Sequence, residues 1–384
     1  MSGPLAGVKV VEVASIGPGP WCAMMLSDMG AEVIRLDRAD EVRNHRPGTP
    51  SLETVTKRGR RSIGVDLKAP GGSEVVLELA DRADILIEGF RPGVAERLGI
   101  GPAQALARNP RLVYGRITGW GQDGPLAQVP GHDINYLALT GLLHTIGPAG
   151  GRPMPPLNLV GDFGGGGMML AFGVVCGYLE AQRSGRGQVV DAAMIDGATL
   201  LGAMVHGLRQ LGQWEEERES NRHDGGAPFY GTYETADGQY VAVAANEPRF
   251  YRVMVEALGL SLDDLPAQGD RESWPATRAR FAEAFLTRTR KEWVELMAPL
   301  DTCFAPVLTL DEAREHEHNL ARDLFVPNDG ILQAAPAPRF DRTPASIKGP
   351  AARPGQHTAE ALRDWGFGAS RIEELLGGGA IVQG

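Results

Sequence analysis

The sequence predicts an α/β protein: a large domain built on a parallel sheet with helices on both faces, and a smaller α+β domain. Short apolar runs at residues 8–13, 31–36, 85–87 and 112–117 alternate with segments of helical spacing. Repeated strand-helix-strand units require right-handed crossovers and parallel pairing. Asp237-Gly238 then separates two alternating runs, 231–234 and 239–244, which is the signal of an antiparallel hairpin. The length of 384 residues exceeds what a single core ordinarily serves, so the hairpin region is assigned to a second domain.

The first strand runs into Gly17-Pro18-Gly19-Pro20, after which residues 21–29 keep helical spacing and Gly30 caps them. The second strand ends at Asp37-Arg38, the third at Glu88-Gly89 and the fourth at Thr118-Gly119. The first turn is no dinucleotide fingerprint, because Cys22 occupies the third glycine position and two prolines remove backbone donors from any phosphate cradle. Between the second and third strands lie Arg43, Arg46, Lys57, Arg58, Arg60 and Arg61, six positive charges in the nineteen residues 43–61, with Arg35, Arg38 and Arg91 close in the pattern. Arginines pair with phosphate bidentately, so this stretch is either a phosphate clamp or a solvated loop.

At the centre stands Gly131-His132-Asp133-Ile134-Asn135-Tyr136, followed later by Gly161-Asp162-Phe163 and four consecutive glycines at 164–167. Such a glycine run is costly in conformational entropy and suggests that a ligand approaches the backbone there. An unperturbed His titrates near ~6.5, while an Asp near ~3.9 must be raised by burial to act as an acid. Two such groups on opposite sides of one carbon can take a proton from one face and return it to the other. The same residues could equally be a hydrogen-bonded turn and a helix N-cap.

Beyond the glycines, residues 163–182 have helical spacing, with Met168, Met169, Gly173 and Gly177 forming an adaptable, closely packed surface. Residues 189–195 read as a short strand or helix start and 200–214 as a helix ending in Glu215-Glu216-Glu217. Helices follow at 249–258, 275–286 and 290–297, the last with a capping box of Thr289 and Glu292. Dense prolines from Phe325 to Pro354 read as an extended return before a final helix at 359–365. The resulting division is a large domain at 1–188, a connector at 189–228, a small domain at 229–318, and a return at 319–384 that completes the large domain.

A net charge of −10 argues against general nucleic-acid binding, though a local basic cluster can still take an anionic ligand. Cys22, Cys176 and Cys303 lie in apolar surroundings without CxxC spacing, which suggests buried, reduced thiols and a cytoplasmic location. Residues 1–7 have no basic segment before an apolar run, and Ile381-Val382-Gln383-Gly384 matches no peroxisomal or prenylation tail. The apolar segment 163–179 is short and glycine-rich for a membrane span, so no membrane insertion is expected.

Taken in order, several motifs carry a resemblance. They are Val10-Val11-Glu12-Val13 with Gly17-Pro18-Gly19-Pro20, Gly119-Trp120-Gly121-Gln122, the run from Gly131 to Tyr136, and Pro156-Leu157-Asn158-Leu159 with Gly161-Asp162-Phe163. Gly187-Gln188-Val189-Val190-Asp191-Ala192, Asp224-Gly225-Gly226-Ala227-Pro228 and Glu247-Pro248-Arg249-Phe250-Tyr251 complete the set. The chain resembles the family III CoA-transferase (CaiB/BaiF-type) superfamily, and within it the branch of alpha-methylacyl-CoA racemases, from about residue 5 to about residue 340. The last forty or so residues carry little of this signal.

The resemblance implies a Rossmann-like large domain and an interlocked homodimer whose site lies between the large domain of one chain and the small domain of the other. It implies racemisation of a 2-methylacyl-CoA thioester through an enolate, with His132 and Asp162 as the two acid/base groups and Glu247 of the second chain holding His132. The backbone N–H groups at Asp162 and the start of its helix would then meet the enolate charge. Arg38, Val65, Asp66, Leu67, Lys68 and Arg91 are the implied CoA contacts, and Gly131, Asp133, Ile134, Asn135 and Tyr136 the implied substrate contacts. No metal or redox cofactor is implied, coenzyme A being part of the substrate. The alternative on the same fold is a CoA-transferase in which Asp162 attacks the thioester to give an acyl-enzyme anhydride. His132 discriminates, because the transferases of the superfamily lack its motif.

Overall fold

Strand β1 (Lys9–Val13) is the hub of the larger unit: Val10, Val11 and Val13 are buried, as a strand covered on both faces requires. The computed structural model describes residues 3–46 and 54–384. In it β1 pairs in parallel with β2 (Glu32–Arg38) on one side and β4 (Ile85–Glu88) on the other. Beyond β2 lies β3 (Arg61–Val65), and beyond β4 lie β5 (Val113–Thr118) and β6 (Val189–Ala193), all parallel. A last strand, β12 (Ile381–Val382), adds antiparallel to β3 and gives the order β12-β3-β2-β1-β4-β5-β6. This is the expected α/β, Rossmann-like fold. Strand order reverses between β1 and β4, so the loops that leave their carboxyl ends diverge and open a crevice.

One face of the sheet is covered by helices Gly72–Ala80, Pro102–Arg108, Thr358–Asp364 and Ala369–Gly377, which bury Val76, Leu79, Leu362 and Leu375, with Trp365 buried just past the end of the third. The other is covered by helices Pro18–Asp28 and Met169–Ser184, which bury Cys22, Leu26, Leu170 and Val174. The Gly17-Pro18-Gly19-Pro20 turn is therefore mostly the first turn of a helix, with proline at its N-terminal positions where no intrahelical N–H is needed.

The glycine run does different work from that expected of it. Leu159–Met168 is a π-helix, in which Phe163 N–H reaches back five residues to the Asn158 carbonyl at 3.3 Å, and it continues as the α-helix to Ser184. A Cβ on Gly165 would lie 2.6 Å from the Ala198 backbone nitrogen, and one on Gly167 2.7 Å from the Trp21 ring. These glycines let helices Met194–Leu201 and Pro18–Asp28 approach the π-helix backbone, so the close neighbour is the protein itself and not a ligand. Gly173 and Gly177 likewise meet Val190 of β6 and Val113 of β5.

Two compact units emerge: Met1–Thr140 with Pro156–Gly202 and Asp323–Gly384, and Gly141–Pro155 with Ala203–Arg322. Residues 189–202, read as connector, thus belong to the larger unit as β6 and the helix Met194–Leu201. The smaller unit holds an antiparallel sheet of β7 (Tyr230–Glu234), β8 (Tyr240–Ala244) and β9 (Phe304–Pro306), joined at Asp237-Gly238 as the hairpin signal indicated. Its core is aromatic, with Phe229, Tyr233, Phe281, Phe285 and Trp293 buried together. Thr289 and Glu292 form the expected capping box. In the larger unit, the proline-rich return contains a hairpin of β10 (Phe325–Asn328) and β11 (Ile331–Ala334). Cys22 is buried as expected, whereas Cys176 and Cys303 are exposed.

Gly197→Ala tests the backbone-to-backbone packing. A Cβ there would lie 1.9 Å from the Gly165 carbonyl oxygen. The ~1 kcal/mol gained in helix propensity is outweighed by overpacking against rigid backbone, for an expected net loss of about 2 kcal/mol in urea unfolding. An unchanged or raised midpoint would contradict this packing.

Candidate active site

A cleft of about 590 Å³ opens at the carboxyl ends of β1, β4 and β5, where the strand order reverses. Gly17 and Pro18 enter it from the loop after β1, Phe90 and Arg91 from the turn after β4, and Thr118 to Trp120 from the end of β5. His132 and Asp162 both line it.

His132 is the residue before helix Asp133–Leu139, with extended backbone (φ −132°, ψ 174°), and it is exposed. Its N–H donates to Asn135 Oδ1 at 3.0 Å, and its carbonyl accepts from the Asn135 N–H at 2.8 Å. Asn135, implied as a substrate contact, thus fixes the backbone from which the imidazole projects. Tyr136 is also engaged within the protein: its ring stands edge-on to Trp120 with centroids 4.7 Å apart, and its hydroxyl donates to the Gly131 carbonyl. Gly119 is required there, because a Cβ would lie 2.1 Å from the Tyr136 ring. Ile134 is exposed, while Asp133 is buried and turns inward.

Asp162 occupies the first turn of the π-helix, half-buried, with its Oδ2 accepting from Asn158 Nδ2 at 3.2 Å. Burial raises its pKa above the usual aspartate value, Asn158 opposes that, the Asp133 charge adds to it, and His132 lowers it. Its N–H donates to Asp133 Oδ1 at 2.7 Å. The Asp162 amide is therefore already spoken for, which corrects its expected part in holding an enolate oxygen. Gly17, at φ 68°, lies close enough that a Cβ would sit 3.5 Å from Asp162 Oδ2. Glycine serves there both for its left-handed backbone and for its lack of a side chain beside the carboxylate.

A second cleft, of about 400 Å³, lies over the carboxyl ends of β1, β2 and β3. Arg38, Arg43 and Val65-Asp66-Leu67-Lys68 line it, so the residues implied as CoA contacts are gathered in one place except for Arg91. Arg38 is exposed and grips Asp40 through Nε at 2.9 Å and Nη2 at 2.5 Å. Arg43 lies 3.9 Å from Asp66. Arg91 instead stands in the first cleft, near enough to Tyr136 to lower its pKa, which burial chiefly raises. Phe90 borders both clefts, and its N–H is held by Glu88 Oε2 at 2.6 Å. Sequence reasoning missed Phe90, although its position directly after a strand end was a usable signal.

The basic stretch 43–61 is not a clamp as a whole, and residues 47–53 lie outside the described residues. Arg58 is buried against Asp28 at 2.6 Å, Arg60 against Glu12 at 2.8 Å, and Arg61 pairs with Glu32 and with Asp364 at 2.5 Å. Arg35 is buried against Asp37 at 2.7 Å. These charges are spent on the frame: burial raises the pKa of Glu12 and lowers that of Arg60, a cost that their pairing opposes. Glu247, the third implied catalytic residue, belongs to the smaller unit, where it precedes helix Pro248–Ala257 and lies near Cys303.

The chain is 44% identical over 375 residues to the mouse protein named alpha-methylacyl-CoA racemase, covering 97% of this chain and 96% of that one. It is 30% identical to mouse succinyl-CoA:glutarate CoA-transferase, over 99% of this chain and 91% of the relative. Among solved structures, Rv3272 from M. tuberculosis superposes with a TM-score of 0.79 at 28% identity, covering 94% of this chain and 99% of that one. The profile of the family described as CoA-transferase family III matches residues 5–358, and with near-full-length relatives on both sides the chain belongs to that family.

Proposed function

We propose that this chain interconverts the two configurations at C2 of 2-methylacyl-CoA thioesters by 1,1-proton transfer. The observation that carries this is His132 and Asp162 lining one cleft. The racemase name of the mouse relative supports it. One of the two groups removes the proton alpha to the thioester, leaving a planar enolate, and the other delivers a proton to the opposite face. Asp162, with its pKa raised by burial, stays protonated to higher pH than a free aspartate and so can serve as the acid. The enolate oxygen needs donors, and with the Asp162 amide engaged they are sought in the first turn of helix Asp133–Leu139. There the Asp133 and Ile134 N–H groups have no partner among the described residues.

The CoA nucleotide is assigned to the second cleft, its phosphates to Arg38 and its adenosine to residues 65–68. Glu247 of a second copy is assigned to hold the His132 imidazole, which requires a homodimer. The larger unit has an apolar face consistent with one: Phe172 is 68% exposed, and Met168 and Leu179 on the same continuous helix are exposed too. That helix, Leu159–Ser184, is also long and apolar enough to cross a membrane by length and composition.

The test is incubation of one enantiomer in deuterated water with a free carboxylic acid present, following the alpha proton by NMR and the thioesters by mass. Loss of the alpha proton, appearance of both enantiomers and no new thioester are expected. Each of His132→Ala and Asp162→Asn should lower the rate by about 100-fold or more, and Glu247→Gln by about tenfold. If CoA passes to the acid while the alpha proton stays, Asp162 is the nucleophile of a transferase and the proposal falls.

Arg38→Ala should raise the Michaelis constant for the thioester more at low salt than at high salt, because screening weakens phosphate attraction. A Michaelis constant that does not change at either ionic strength removes Arg38 from the nucleotide site.

A further inference from the structure

Asp133 is buried, yet one of its oxygens has no partner. Its Oδ1 accepts the Asp162 N–H at 2.7 Å, while Oδ2 finds no donor among the described residues. The chain is shaped to admit this carboxylate: a Cβ on Gly161 would lie 2.4 Å from Asp133 Oδ1. A buried carboxylate with an unmet oxygen destabilises a fold, so its presence beside a second carboxylate calls for a functional reason. Sequence reasoning placed Asp133 among the substrate contacts, but its side chain faces away from solvent and toward the backbone of Asp162.

We propose that Asp133 is a positioning residue for Asp162: one of its oxygens pins the Asp162 backbone, and its buried carboxylate is seated against the turn that carries the reacting one. The proposal rests on the racemase reading above. The groups that bear on Asp162 are Asp133 and His132 at the start of helix Asp133–Leu139, Asn158 on its own turn, and Tyr136, which its charge influences. From the loop after β1 the neighbour is Gly17, which brings no charge. Among the described residues, Asp133 is the one that both accepts a hydrogen bond from the Asp162 backbone and repels the Asp162 charge.

A pair that passes a single proton is competent in either direction only while it carries one proton in total, so the acid limb of activity follows protonation of Asp162. The Asp133 charge raises the Asp162 pKa, so removing that charge must lower it and carry the acid limb to lower pH.

Asp133→Asn and Asp133→Ala separate the two roles. Asn keeps an acceptor for the Asp162 N–H and removes the charge, whereas Ala removes both. Alpha-proton exchange is measured against pH for each variant. The Asp162 carboxyl carbon is titrated separately by NMR without substrate, assigned by its loss in Asp162→Asn. In Asp133→Asn, the acid limb and the carboxyl titration should both move to lower pH. In Asp133→Ala, kcat should fall on the order of 100-fold with the Michaelis constant little changed, as expected when a reacting group is displaced by about 1 Å. An Asp162 titration that does not move in Asp133→Asn, or full kcat in Asp133→Ala, overturns the proposal. If Asp133→Ala does not fold, Asp133→Asn decides alone. Absence of exchange by the unmodified protein would defeat the racemase reading, and the substrate-free titration would still decide the role of Asp133.

Discussion

Backbone pressed against backbone on two sides of one helix is the constraint on which the position of Asp162 depends. The helix Leu159–Ser184 passes between Pro18–Asp28 and Met194–Leu201 at distances that admit no Cβ at Gly165, Gly166 or Gly167. The i to i+5 hydrogen bonding of its first ten residues widens the turn on which Asp162 sits, and Gly161 makes room for the Asp133 carboxylate beneath it. A carboxylate held this way has little freedom to adjust, as the proposed proton transfer to one face of a carbon atom requires.

The second constraint is the sheet. Reversal of strand order between β1 and β4 opens the crevice for His132 and Asp162, and the same carboxyl edge continues over β2 and β3 into the cleft of Arg38 and Lys68. A long ligand with a reactive end and a nucleotide end fits an edge with two clefts in line, and Phe90 stands where they meet. The buried pairs Arg58–Asp28, Arg60–Glu12 and Arg35–Asp37 hold the strand ends and the return segment from within, leaving exposed arginine at the rim.

Much of this was legible in the residues. The strands β1, β2, β4 and β5 announced themselves as apolar runs, Asp237-Gly238 marked the hairpin of the smaller unit, and Thr289 with Glu292 marked a helix start. The strand β3, Arg-Ser-Ile-Gly-Val, did not, because its buried polar residues are satisfied by partners far along the chain: Ser62 by Asp37 and by the Gly355 N–H. For the same reason β12 and helix Ala369–Gly377 were invisible in a tail whose role is to cover the edge of that strand. Charge density at 43–61 suggested a clamp, but whether an arginine is a rim group or a buried strut depends on an aspartate or glutamate that only the fold brings to it. His132 and Asp162 stood out from the residues as one imidazole and one carboxylate able to trade a proton, with a turn and an N-cap as the equal alternative, while Arg38 and residues 65–68 were singled out through resemblance; the glycines showed that something packs closely, not what.

His132 and Asp162 are proposed to address opposite faces of one carbon while the nucleotide lies over β2 and β3. A crystal structure with a 2-methylacyl-CoA bound decides between this arrangement and its rivals. The expected result places C2 of the acyl group between the His132 imidazole and the Asp162 carboxyl group, with the adenosine against residues 65–68. A thioester carbonyl carbon seated on the Asp162 oxygen with C2 remote from His132, or a nucleotide bound away from Arg38, would contradict it.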